Sequence, residues 1–327
     1  MMLPKENLLR SIKRNNPDWV PNGMESQISI ASPVVERPAE AGFDAFGVHW
    51  SMEVGAEGGT YPTVRGNTIN DIEKWKEQIH IPDISKLDWT VIKEQVSKID
   101  RENFLISGDV NMGLFERSYL LFGMEEALML YLTEPDLMVE VITAIADYKI
   151  QLIKSFHEVA KLDIVCYGDD WGMQNNLFLS PDIWRKIIKP QTQRIYDCMK
   201  QLGIIINQHS CGKIESIFSD FVEMGPDIWN PCQPCNDLAM LKREFGSRIS
   251  FCGGIDSQFI LAKPGVTAEE VRNEVRKCID EMAENGGYIA APSQGVPYDE
   301  DILFAMNDEI YTYGRAYYEN NKKSIII

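Results

Sequence analysis

Short apolar runs that end in polar or glycine residues recur along the chain: SQISIAS (26–32), DAFGVHW (44–50), FLISGDVNM (104–112), DIVCYGDDWG (163–172), IIINQHSCG (204–212), DIWNPCQ (227–233), ISFCGGID (249–256) and YIAAPSQG (288–295). Each has the length and bounded apolar character of a buried strand. Between most of them the apolar positions take helical spacing. Examples are residues 124–161, broken near Pro135, and residues 180–203, with a serine N-cap, a proline at the first helical position and a terminal glycine. Strand, helix, strand repeated in this way predicts a parallel sheet, because parallel neighbours need crossover connections. Eight such units close most simply into an α/β fold of the (β/α)8 TIM barrel type, with its active site at the C-terminal strand ends. No linker or abrupt composition shift divides the chain, so residues 1–327 are expected to form a single domain. Residues 51–103, with the glycine-rich EVGAEGGTYPTVRGN, are too long for a simple βα loop and predict a cap or insertion at the barrel mouth.

Polar, Cys and His residues crowd the last positions of these runs, where a barrel keeps its chemistry. In IIINQHSCG, His209 and Cys211 are two residues apart, so on an extended strand their side chains leave the same face. Imidazole and thiolate together suit zinc, which in catalytic sites takes three protein ligands and an exchangeable fourth. In ISFCGGID, the parity of Ile249 and Phe251 turns Cys252 toward the barrel interior, which makes Cys252 the first candidate for the third ligand. Cys232 and Cys235 form a CxxC pair that competes for that role and is also compatible with redox chemistry. Cys166, Cys198 and Cys278 read as ordinary buried thiols. An isolated His-x-Cys is more often a satisfied core histidine beside an inert thiol. Placement at a strand end followed by glycine, in a chain with four histidines, is what raises metal binding.

A second constellation is YGDDWGMQ (167–174). Adjacent strand residues point to opposite faces, so one of Asp169 and Asp170 is expected to enter the pocket; the alternative for the pair is helix N-capping or loop solvation. Tyr167 and Trp171 are candidates for an aromatic wall, and Gln174 and Asp256 for substrate contacts. Asp109, Asn111, Asn230, Gln233, Ser293 and Gln294 complete a polar ring.

Composition narrows the function classes. Thirty-two Lys and Arg against 49 Asp and Glu give a net charge of -17, which repels phosphate backbones and anionic membranes and excludes nucleic acid as a partner class. No segment approaches the apolar length of a membrane span, and the N-terminal MMLPKENLLRSIKRNNPDW lacks the apolar core of a signal peptide, so a cytoplasmic protein is expected. Seven cysteines are too few for a disulfide scaffold.

The run of YGDDWG, HSCGKI, DIWNPCQP, ISFCGGIDSQ and GGYIAAPSQGVPYD resembles the uroporphyrinogen decarboxylase superfamily over residues 44–310, and within it the cobalamin-dependent methyltransferases. The resemblance implies a barrel that holds zinc through a His-x-Cys pair, onto which His209 and Cys211 fall, and a later Cys, where Gln294 stands in this chain. Either Cys252 or another group then completes the site, or zinc is held weakly or not at all. It also implies transfer of a methyl group between a small methylated compound or thiol and a corrinoid, here carried by a separate protein because the chain has no DxHxxG segment. Asp169 or Asp170, with Asn230 and Gln294, would orient substrate or handle its proton. The arginine-rich RQAGRY-like segment of the decarboxylases themselves is missing: Arg37 and Arg65 are isolated, and Glu53 and Glu57 add negative charge. A metal-free decarboxylase is the alternative reading, and a non-catalytic ligand-binding member the second.

Overall fold

The structure, a computed structural model, describes residues 2–53 and 59–324, with side chains through residue 319. Glu57 and the rest of 54–58 lie outside the described residues. Among the described residues ten strands form two sheets: β1 (Gln27–Ala31), β2 (Gly42–Phe43), β3 (His49–Ser51), β4 (Tyr61–Pro62), β5 (Leu105–Val110), β6 (Ile164–Gly168), β7 (Ile205–His209), β8 (Ile228–Cys232), β9 (Ser250–Ile255) and β10 (Tyr288–Pro292). The larger sheet is parallel throughout, in the order β1-β5-β6-β7-β8-β9-β10, and curls into an α/β barrel of the TIM type. Seven of the eight expected runs are its strands. The exception is 44–50, whose end forms β3 in the small antiparallel β2-β3-β4 sheet. A single parallel bridge from Asn22 to Ala290 stands beside β10 where an eighth strand would close the wall.

The interior closes at its N-terminal end. The helix Pro4–Ile12 sets Leu8 and Ile12 against the first inward residues of the strands, Leu105, Ile164, Ile228 and Ile289, and Cys252 lies in the same buried apolar cluster. Ser11 Oγ donates to the Tyr288 carbonyl (3.0 Å) and Ser250 Oγ to the Ile12 carbonyl (2.8 Å), which fixes this plug without leaving buried donors unpaired. The outer face of the sheet packs on amphipathic helices, the longest being Pro135–Ala160 and Glu300–Ser324. The helix break expected near Pro135 falls at Glu134. Among the described residues no helix is long and apolar enough to cross a membrane.

The described part of 51–103 does not line the main cavity. Its helices pack outward on Pro135–Ala160, as in the contact of Trp89 with Phe156, and residues 31–37 reach the mouth instead. A buried ion network fixes that segment. Arg117, fully enclosed, pairs with Asp44 (2.6 Å) and Glu36 (3.4 Å), Lys149 pairs with Glu36 (2.5 Å), and Tyr148 donates to Glu36 (2.9 Å). Removing one member leaves an uncompensated charge in a low dielectric, which costs about 3–5 kcal/mol. Arg117→Met should therefore lower the unfolding free energy by about 3 kcal/mol in urea titrations; a loss below about 1 kcal/mol would contradict this role for the network.

Candidate metal centre

Two turns at the C-terminal end of the barrel meet backbone to backbone. A Cβ on Gly212 would lie 2.2 Å from the Gly172 carbonyl carbon, and one on Gly172 would lie 2.6 Å from the Lys213 nitrogen. Gly212 also has φ +79°, in the left-handed region that glycine adopts without strain. Glycine at both positions lets the turn after β6 sit against the turn after β7. Asp170 then comes beside His209 and Cys211, and its carboxylate accepts the Cys211 backbone N–H at 2.8 Å. Gln233, from the segment after β8, accepts the Gly212 N–H at 2.7 Å and donates to the Ser293 carbonyl, so the ends of three strands share one set of hydrogen bonds.

His209 Nε2 lies 3.5 Å from Cys211 Sγ and 3.7 Å from Asp170 Oδ1, and the three ligand atoms are all within 4.8 Å of one another. Around a tetrahedral zinc with bonds of about 2.0–2.3 Å, neighbouring N, O and S ligands stand roughly 3.3–3.6 Å apart. The His209–Cys211 separation falls in that range and the His209–Asp170 separation just above it. The hydrogen-bond pattern also assigns His209 the tautomer that a ligand needs. Asn207 Oδ1 accepts from Asn230 Nδ2 (2.5 Å), which turns Asn230 Oδ1 toward His209 Nδ1 at 3.0 Å. With the proton held on Nδ1, the Nε2 lone pair faces Cys211 and Asp170. Burial, and then the negative charge of Asp170, push the Cys211 thiol well above its ordinary pKa. A cation in the cluster reverses that balance.

The third ligand-bearing group brought to His209 and Cys211 is a carboxylate, and Cys252, the first candidate for that place, is not brought there. Cys252 faces the barrel interior, as its parity requires, but it lies in the apolar floor against the N-terminal helix, where burial holds its thiol up at about 12. Cys232 is fully buried on the helix side of β8. Cys235 lines a smaller cleft of about 110 Å³ that also takes Gln174, Asp256 and Gln294. Gln294, Gln174 and Asp256 therefore do not line the cavity that reaches His209; Asp256, in addition, caps residues 257–261 through the Gln258 and Phe259 N–H groups.

Of the two adjacent aspartates, Asp170 lines the main cavity and Asp169 turns away from it. Asp169 is fully buried and accepts N–H bonds from Phe115 (3.2 Å), Glu116 (3.0 Å) and the Trp171 indole (2.9 Å), which is the capping role open to an aspartate at this position. Burial pushes it up to about 6 despite those bonds. The aromatic wall is likewise corrected. Tyr167 points into the core between sheet and helices, and Trp171 packs edge-on to Trp184 and Phe221.

The cavity beside the cluster has a volume of about 530 Å³ and is lined by Glu36, Arg37, Asp109, Glu116, Asp170 and His209 among others. Glu36 and Glu116 carried no signal in the sequence. Both sit outside the strand ends, one in a loop and one on the helix Leu114–Phe122, and only the fold brings them to the mouth.

Comparisons place these features among known proteins. The family model described as uroporphyrinogen decarboxylase (URO-D) matches residues 43–304. The curated protein methylcobamide:CoM methyltransferase MtaA of Methanosarcina barkeri is 26% identical over 157 residues, 46% of this chain and 43% of the relative, so the match spans less than half of that protein's length. A solved methyltransferase from Methanosarcina mazei superposes with a TM-score of 0.72 at 17% identity, covering 96% of this chain and 99% of that one, which shows a shared fold.

Two outcomes follow from the geometry. Nitrogen-15 NMR of His209 should show the Nδ1–H tautomer, and Asn230→Ala should convert it to a mixture; an Nε2–H imidazole in the unaltered protein would contradict the relay. Asp169→Ala should cost about 1–3 kcal/mol of stability, read by denaturant unfolding, because it leaves buried donors unpaired. An unchanged midpoint would remove its capping role.

Proposed function

The chain belongs to the uroporphyrinogen decarboxylase family, and on that premise we propose that it is a zinc-assisted methyltransferase. It moves a methyl group between a small methylated compound or a thiol and a corrinoid carried by a separate protein, and works in the cytoplasm as one domain. The observation that carries this reading is the Asp170–His209–Cys211 group, with its Nε2 lone pair directed inward, opening on a cavity of about 530 Å³. The likeness to the MtaA relative supports it.

His209, Cys211 and Asp170 would hold the zinc, which when bound acts as a Lewis acid on the heteroatom of the substrate. Asn230 is a positioning residue: it holds the His209 ring and keeps the Nδ1 proton in place. In the demethylating direction the bond from methyl carbon to heteroatom breaks, with both electrons left on the heteroatom. The methyl carbon bonds to the nucleophilic Co(I) of the partner's corrinoid, whose electron pair forms the new bond. The opposite direction runs these changes backward, with a thiolate supplying the pair. The plugged N-terminal end of the barrel leaves the C-terminal mouth as the side of approach.

Decarboxylation of a polycarboxylate is the weaker reading on a specific observation. The lining residues include four carboxylates and one basic side chain, Arg37, which donates to the Thr60 carbonyl at 2.6 Å. A polyanion needs several basic clamps, and among the described residues the lining offers one.

Freshly purified protein should hold about one zinc per chain by elemental analysis, as expected of a three-ligand site. His209→Ala and Cys211→Ser should lose it, and Cys252→Ser should keep it. Full metal in both ligand variants would remove the proposed centre. Because the Cys211 thiol is raised, the metal-free protein carries its proton at neutral pH, and zinc uptake should release about one proton in a pH-stat titration. Incubation with cob(I)alamin or methylcobalamin and candidate substrates should change the visible spectrum; no change with any methoxy, methylamine or thiol compound would contradict methyl transfer.

A further inference from the structure

The end of the barrel opposite the metal group has a cleft of its own, and we propose that this cleft binds the phosphate group of a small molecule. It lies beside the N-terminal ends of β9 and β10, has a volume of about 700 Å³ and is lined by Arg14, Lys242 and Arg243, with Glu281 and Glu284. Lys242 is 8% exposed and Arg14 is half-buried, and among the described residues neither forms an ion pair. Asp227 attracts Arg14 only from beyond ion-pair distance, and its carboxylate accepts the Ile206 N–H at 2.8 Å. Buried charges are paired as a rule, because burial without a counter-charge is costly. In a chain with 49 acidic residues against 32 basic ones, two inward cations without a carboxylate partner are the exception. Such a pair calls for a counter-ion from outside the chain.

The turn before β10 brings the two cations together. A Cβ on Gly287 would lie 2.8 Å from Arg14 Cγ and 3.4 Å from Lys242 Nζ, so both side chains close over one backbone position, where φ is +73°. Each cation keeps donors to spare. Arg14 Nη1 donates to the Ile12 carbonyl (3.0 Å) and to Ser250 Oγ (2.9 Å), which uses its two protons. Its Nε–H and Nη2 groups have no hydrogen-bond partner among the described residues, and together they form the edge of a guanidinium that matches two oxygens of an oxyanion. Lys242 Nζ donates to the Gly286 carbonyl and has two further N–H groups. Burial and the neighbouring Arg14 lower Lys242 to about 8, so it still carries its proton at pH 7. Two adjacent positive charges suit a dianion, and a phosphate whose two oxygens meet the guanidinium edge has a third for the ammonium. Glu281 and Glu284 are exposed at the rim, which places the ligand's negative charge at the end that enters. Arg14 follows the plug helix Pro4–Ile12 and Lys242 belongs to the helix Leu238–Phe245, so a phosphate between them ties the barrel floor to its outer wall, far from the mouth.

Calorimetric titration of inorganic phosphate into the full chain at pH 7, with sodium chloride holding the ionic strength constant, tests this. A single saturable site is expected, with acetate bound about tenfold or more weakly than phosphate. Lys242→Met should weaken phosphate binding by about tenfold or more, and Arg14→Lys, which keeps the charge but removes the fork, by about threefold or more. Two variants guard against one that fails to fold. His209→Ala, which alters the metal group at the other end of the barrel, should bind phosphate as the unaltered protein does. The absence of a saturable isotherm, acetate binding as tight as that of phosphate, or undiminished phosphate binding in a folded Lys242→Met or Arg14→Lys protein overturns the inference. Loss of phosphate binding in His209→Ala also overturns it, by assigning the phosphate to the metal group. None of these outcomes bears on the methyltransferase reading, which stands or falls on zinc and on methyl transfer.

Discussion

The close seat of Gly212 on Gly172 is the contact on which the site depends. Two turns can share a space too narrow for a Cβ because neither residue carries one, and that approach puts a carboxylate from β6 beside an imidazole and a thiol from β7. Either position filled by a larger residue would push the turns apart. Hydrogen bonds then convert proximity into orientation. Asn207 fixes Asn230, Asn230 fixes the His209 proton, and Asp170 accepts the Cys211 amide. The three side chains are held in place by the protein's own hydrogen bonds, the condition under which a metal site would avoid the cost of ordering its ligands.

A barrel supplies the rest by its construction. The N-terminal helix seals the floor with Leu8 and Ile12, so the polar interior has its opening at the strand ends. The segment 31–37 gains its place at that opening through the buried Glu36–Arg117–Asp44–Lys149 network rather than through sheet pairing. One network thereby serves the mouth twice: it anchors a wall of the cavity and neutralises one of its carboxylates. The remaining negative charge of the cavity runs in the same direction as the net charge of -17 on the whole chain.

Much of this was legible in the residues, and the parts that were not have physical causes. Seven parallel strands announce themselves as bounded apolar runs. The run at 44–50 has the same local signature, but its residues are drawn into a small antiparallel sheet, an outcome decided by tertiary pairing that local pattern does not carry. Two-residue spacing correctly placed His209 and Cys211 together and turned Cys252 inward. Parity fixes the face, however, and not the depth along the barrel, so it could not tell the rim from the floor where Cys252 lies. The same limit applies to Tyr167 and Trp171, aromatic residues near a strand end that serve the outer core. Asp170 was available in the pair of aspartates between two glycines. Glu36 and Glu116 were not, since a loop and a helix N-terminal turn reach the mouth only once the chain has folded.

X-ray absorption at the zinc edge tests the central claim most directly. The account predicts one sulfur at about 2.3 Å from the metal, with nitrogen and oxygen completing the shell. Two sulfur ligands, or none, would contradict a centre made by Asp170, His209 and Cys211.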